Sequence, residues 1–183
     1  TGTDGNIISY DASGDPVAIA TGDDGQVLTS AGAGQPPAFE TTSGEKNLPY
    51  FMAQSGALTP SANTATKVPL SGSVDSEGSF DGDNDRYIPQ TAGKYWIEMI
   101  VGVYGMTDGG YAVAHLKKNG SSVAEHNFTC ATGLGNMHQS ASFGEIVEFN
   151  GSTDYVELYI FFEEAWAVRT NQTQLQGFLI SAT

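Results

Sequence analysis

Period-two alternation runs through most of the chain and is broken only by turn-forming residues. No other feature restricts the fold as strongly. Between Lys94 and Tyr104, the residues Tyr95, Ile97, Met99, Val101 and Val103 fall on one side of an extended backbone, with Glu98 and Gly102 on the other. Val156, Leu158, Ile160 and Phe162 repeat the pattern. Phe143, Glu145, Val147 and Phe149 alternate against Ile146 and Glu148, and Leu175 to Ile180 supply a last apolar strand. Successive side chains of a strand point to opposite faces, so each of these segments buries one face. No stretch of a dozen residues carries the spacing of an amphipathic helix. Many short strands joined by Gly-rich turns predict an all-β sandwich or barrel.

One hairpin is nearly spelled out. In Lys118-Asn119-Gly120-Ser121, Asn-Gly supplies the two left-handed residues of a type I′ turn. Pairing outward from it sets Leu116 opposite Val123, Val113 opposite His126 and Ala124 opposite His115. In that register His115 and His126 are diagonal neighbours on one face, roughly 7–8 Å apart, within reach of a shared metal or a pH-sensitive contact.

Ahead of this region, residues 1–45 read as an extended, β-rich arm built from a repeat of period 20. Asp4-Gly5-Asn6-Ile7-Ile8-Ser9 answers to Asp24-Gly25-Gln26-Val27-Leu28-Thr29, and Gly14-Asp15-Pro16-Val17-Ala18-Ile19 to Gly34-Gln35-Pro36-Pro37-Ala38-Phe39. Each copy is a glycine turn, a short aliphatic strand, a small-residue turn and a Pro-led extended piece. One copy buries too little to be stable in isolation, so the arm needs a surface or other chains to lie against. Ile7, Ile8, Pro16, Val27, Leu28, Pro36 and Phe39 are its expected contact residues.

The stretch Gly-Asp-Asp-Gly-Gln-Val-Leu-Thr-Ser-Ala-Gly-Ala-Gly-Gln-Pro-Pro-Ala-Phe, residues 22–39, resembles a repeat of bacteriophage virion proteins, notably tail fibres and surface appendages. Residues 46–183 read as the head, and about 48–183 of them resemble the complement C1q and tumour-necrosis-factor-like jelly roll. The resemblance is carried in order by Phe80, Tyr87-Ile88-Pro89, Gly93-Lys94-Tyr95-Trp96-Ile97, Leu116-Lys117-Lys118-Asn119-Gly120 and Gly177-Phe178-Leu179-Ile180. The family's Gly-Asp ahead of its penultimate long strand stands here as Gly151-Ser152-Thr153-Asp154, with two residues inserted. The resemblance implies a jelly-roll head and a homotrimer. It places Tyr95 near the three-fold axis, with Ile97, His115 and His126 as further interface residues.

Charge narrows the partners. The chain has 21 acidic residues against 7 Lys and Arg, a formal net charge of −14, and its cations are scattered. Nucleic acid and anionic membranes need clustered Lys and Arg and are excluded as expected partners. The longest apolar stretch, Tyr155 to Trp166, is interrupted by Glu157, Glu163 and Glu164 and is too short to cross a bilayer as a helix. Cys130 is the single cysteine, so no internal disulfide forms.

Catalytic signatures are missing from the sequence. There is no G-x-S-x-G elbow, phosphate-binding loop or zinc-protease helix, and the adjacent acids Glu163 and Glu164 point to opposite faces of a strand. No enzyme and no cofactor are expected. Asp81, Asp83 and Asp85 alternate like the opening of a Ca²⁺ loop, but Arg86 holds the glycine position and Ala92 the twelfth, so a solvated turn is favoured over calcium. The function these features imply is a capsid decoration (cement) protein at the virion surface. Its arm would bind the major capsid protein or another virion component, and its trimeric head would project. The alternative is a tail-fibre or spike tip that binds a host-surface glycan or receptor.

Overall fold

The computed structural model describes residues 4–41, 48–133 and 137–183. The chain divides into two compact units, Thr1–Asn47 and Leu48–Thr183. The expected boundary at 45/46 lies outside the described residues.

The first unit holds two hairpins. Strand β1 (Ile7–Tyr10) pairs with β2 (Pro16–Ile19), and β3 (Gln26–Thr29) pairs with β4 (Ala38–Thr41). The repeat is visible in the backbone: Gly5 and Gly25 both have φ +85°, and Gly14 and Gly34 have +83° and +79°. The second hairpin nevertheless departs from the first by one residue of register. Ile7 pairs with Ile19, but its counterpart Val27 pairs with Glu40 instead of Phe39. Two substitutions account for this. In the first copy Asp11 closes the turn, its carboxylate accepting the Ser13 and Asp15 amides at 2.8 and 3.0 Å; the second copy has Ala31 there. Pro37 replaces Val17 and brings no amide hydrogen, so β4 starts two residues later, at Ala38, and both Pro36 and Pro37 fall in the loop. No described arm residue is buried.

The second unit is a two-sheet antiparallel sandwich. Its strands are β5 (Tyr50–Ser55), β6 (Thr66–Lys67), β7 (Leu70–Asp75), β8 (Phe80–Asp81), β9 (Arg86–Tyr87), β10 (Gly93–Met106), β11 (Tyr111–Lys118), β12 (Ser121–Thr129), β13 (Met137–Phe149), β14 (Val156–Phe162), β15 (Ala167–Val168) and β16 (Gln174–Ala182). Sheet I runs β13-β10-β16-β5-β7, with β15 added beside β10. Sheet II runs β12-β11-β14-β9-β8, with β6 added beside β14.

The alternation read from the sequence sets the core. Tyr95, Ile97, Met99, Val101 and Val103 from sheet I are all fully buried, as are Val156, Leu158, Ile160 and Phe162 from sheet II. An aromatic cluster ties the sheets together at one end. Phe51 stacks on Tyr87 with centroids 3.7 Å apart, Tyr87 meets Tyr95 edge-on at 6.3 Å, and Tyr95 meets Phe149 at 5.3 Å. Such pairs contribute about 0.5–1.5 kcal/mol each beyond their buried area. The Tyr95 hydroxyl donates to the Thr91 carbonyl at 2.9 Å, and burial, with the Glu77 charge nearby, pushes its phenol up to about 12.

Because Leu158 is fully enclosed in the middle of β14, Leu158→Ala should lower unfolding free energy by about 2–5 kcal/mol, the usual range for a buried leucine truncation. Denaturant titration of the full chain measures it.

Candidate interaction face

The outer face of sheet I carries large apolar side chains where a solvated sheet would place polar ones. Ile146 of β13, Trp96 of β10, Phe178 of β16 and Tyr50 of β5 are register partners and form one row across four strands. Ile146, Phe178 and Tyr50 are 61, 49 and 47 % exposed. Ile180 and Val74 on the same sheet are also open to solvent. The row is built around Gly144: a Cβ there would lie 1.9 Å from the Trp96 ring, so the missing side chain lets the indole lie down across β13. Beside the row, Glu98 accepts hydrogen bonds from the Ser142 hydroxyl and, at 2.6 Å, from the Gln176 amide. A contiguous apolar strip with fixed polar groups at its edge is the usual mark of a surface that meets a partner.

The expected interface residues lie elsewhere. Tyr95 and Ile97 point into the sandwich of their own chain and have no exposed surface, so neither side chain is available to a partner. They share a parity with Met99 and Val101, whereas the outward parity of β10 belongs to Lys94, Trp96 and Glu98. Reading the opposite parity of the same strands would have found the row: Trp96, Ile146 and Phe178 are large and apolar on what alternation assigns as the wet side.

The two histidines are also separated. A bulge between Leu116 and Lys117 brings Leu116 opposite Ala124, Ala114 opposite His126 and His115 opposite Glu125, one residue away from the expected register. His115 therefore faces outward with Glu125 at 3.2 Å, while His126 faces inward at the sandwich edge. There His126 stacks on Phe143 at 4.7 Å and meets Glu145 at 3.1 Å, linking β12 of sheet II to β13 of sheet I. No metal can bridge imidazoles on opposite faces of one hairpin. Ser122 and then His115 hold the Glu125 carboxyl below its usual range.

Asp81, Asp83 and Asp85 do not converge. Asp81 is held by Asn84 and by Arg86 at 2.9 Å, which keep its pKa below the ordinary value; Asp85 accepts the Leu70 amide at 2.8 Å. No three His, Cys, Asp or Glu among the described residues are grouped to hold a metal ion. The arm residues Ile7, Ile8, Val27, Leu28 and Pro16 are exposed, with Ile8 at 73 %, while Pro36 and Phe39 are half-buried.

The two-residue insertion before β14 is absorbed locally. Asn150 Oδ1 accepts the amides of Ser152, Thr153 and Asp154 and caps the loop, so that Val156 stays in register with Lys118. Asp154 then accepts Lys118 Nζ and Asn119 Nδ2, both at 2.8 Å, joining the loop to the Asn119-Gly120 hairpin.

Two antiparallel sheets in this order, with a core of alternating inner-face residues, define a jelly roll of the C1q/TNF type. The globular domain of zebrafish complement 1qA superposes with a TM-score of 0.51 at 17 % identity, covering 74 % of this chain and 99 % of that one. Murine APRIL at pH 8.0 superposes at 0.55 with 10 % identity, covering 73 % of this chain and all of that one. At such identities the likeness is one of fold. No protein-family model and no curated protein sequence matches the chain.

Lys118, then Asn119, hold the Asp154 carboxyl below its ordinary range. A depressed folded-state pKa stabilises the protein above the unfolded value, and that contribution is lost as pH falls through the folded one. Lys118→Met should therefore move the Asp154 titration upward, toward the ordinary aspartate value, as followed by carboxyl-carbon NMR. An unmoved titration would show that Lys118 does not hold this carboxylate.

Proposed function

We propose that this chain is a structural virion protein, a capsid decoration protein whose arm attaches to the shell and whose head projects as a homotrimer. The observation that carries the anchoring role is the state of the arm. Its two hairpins have four-residue strands, bury no described residue and leave Ile8, Tyr10, Val27 and Leu28 in solvent. Hairpins of that size are marginal in water and gain stability by lying on another surface. The repeat wording of residues 22–39 points to a virus particle as that surface. Many weak arms attached to one lattice gain strength through multivalency.

For the head, the Ile146–Trp96–Phe178–Tyr50 row supports self-association through the outer face of sheet I, in keeping with the C1q/TNF-type fold. With Tyr95 and Ile97 enclosed, the apolar strip is the surface that a three-fold arrangement has to cover. The role is binding and architectural, with no step of chemistry assigned to any side chain.

Deleting residues 1–45 should abolish attachment to particles yet leave a folded head of unchanged oligomeric state. Full decoration by the truncated head would refute the anchoring role. Placing a charge in the apolar row, as in Phe178→Asp, should convert a trimer to monomers in sedimentation equilibrium; a wild-type chain that sediments as a monomer would remove the trimer. Copy number on the particle distinguishes a decoration protein, present in hundreds, from a fibre tip, present in tens or fewer.

A further inference from the structure

Far along the outer face of sheet I from the apolar row, three polar side chains meet. The Arg169 guanidinium carbon lies 5.0 Å from the centre of the Tyr104 ring, and the His138 ring meets Tyr104 edge-on with centroids 4.5 Å apart. Tyr104 is 44 % exposed. Eight residues of strand, about 27 Å at 3.4 Å per residue, separate Tyr104 from Trp96.

The backbone fixes this cluster. Val168 and Ala167 of β15 pair with Val103 and Tyr104, and the Arg169 amide donates to the Gly102 carbonyl at 2.8 Å. Gly102 leaves room for the arginine stem: a Cβ there would stand 3.0 Å from Arg169 Cβ. With no side chain at 102, the guanidinium can cross the strand and reach Tyr104.

Its charge rests on the Tyr104 ring, and no carboxylate among the described residues pairs with it. The formal net charge is −14 and the chain has two arginines, Arg86 and Arg169. Arg86 is paired with Asp81 at 2.9 Å, whereas none of the ion pairs among the described residues includes Arg169. Arg169 Nε is buried and has no hydrogen-bond partner. A donor removed from water without an acceptor is costly, and the group that satisfies a guanidinium best is a planar two-oxygen anion gripped by two parallel hydrogen bonds. Tyr104 and His138 add a phenol and an imidazole to the same patch.

We propose that Arg169, Tyr104 and His138 form a binding site for the carboxylate group of a small ligand. The site is complete within one chain and does not depend on trimer formation or on attachment to a particle.

With two arginines in the chain, the arginine Nε–H region of a nitrogen–proton NMR spectrum holds two signals, and Arg86 serves as the internal reference. The full-length protein is titrated with sodium glucuronate, sodium acetate, glucuronate methyl ester and sodium chloride at matched ionic strength. The expected result is a saturable shift of one signal with glucuronate, an unmoved second signal, and loss of the responding signal in Arg169→Lys. His138→Ala should weaken the response about tenfold, the loss of one charge-assisted contact. Acetate equal to glucuronate assigns recognition to the carboxylate alone; weaker acetate binding adds contacts to the sugar. No saturable shift with either acid, or the same shift with chloride or the ester, overturns the proposal.

Discussion

Strand β10 is hydrogen-bonded along both edges, to β13 on one side and β16 on the other, and it is the longest strand of the head at fourteen residues. Its five inward side chains from Tyr95 to Val103 have no exposed surface, so the depth of the sandwich is set against them. The remaining strands take register from this one. A slip of one residue in β10 would exchange Tyr95, Ile97 and Met99 for Trp96, Glu98 and Ile100, placing a carboxylate in the core and exposing a row of aliphatic groups. The desolvation cost of an unpaired buried charge forbids that exchange, which is why the strand has one register and the sheet one inner face.

The two outer faces then diverge in character. On sheet II, Lys67 is bonded to Glu157 at 2.6 Å, Lys117 sits 3.8 Å above the Tyr159 ring and Arg86 lies over Tyr155. Cations and rings satisfy one another there within a single chain. Sheet I keeps its aromatic row exposed, and its Arg169, though it lies over the Tyr104 ring, has no carboxylate partner among the described residues. An acidic molecule that concentrates unsatisfied groups on one face directs its contacts to that face.

Much of this was legible in the amino-acid order, and the limits have physical causes. Alternation depends on backbone geometry alone, so the inner faces of β10 and β14 follow directly from it. The Asn119-Gly120 turn was equally clear because Asn119 and Gly120 both adopt positive φ, 52° and 80°. Bulges leave no such mark. The extra residue at Val123 displaced His115 and His126 to opposite faces, and nothing in Ser121-Ser122-Val123 announces it. The Tyr104–His138–Arg169 cluster was invisible for another reason. It joins β10, β13 and the residue that follows β15, across Gly102, and contacts between residues distant in sequence appear only once the sheet order is known.

The register change between the arm's two copies carries a consequence for what each copy presents. In the first hairpin Ile7 and Ile19 share a face; in the second their counterparts, Val27 and Phe39, lie on opposite faces. Two copies alike in sequence thus present different faces and form an ordered pair with a distinct first and second member. Recombination between the copies would leave the reading frame and the composition almost untouched, yet it would erase one of two different surfaces. The pair is a sequence of unlike parts, and the small differences at Ala31 and Pro37 set them apart.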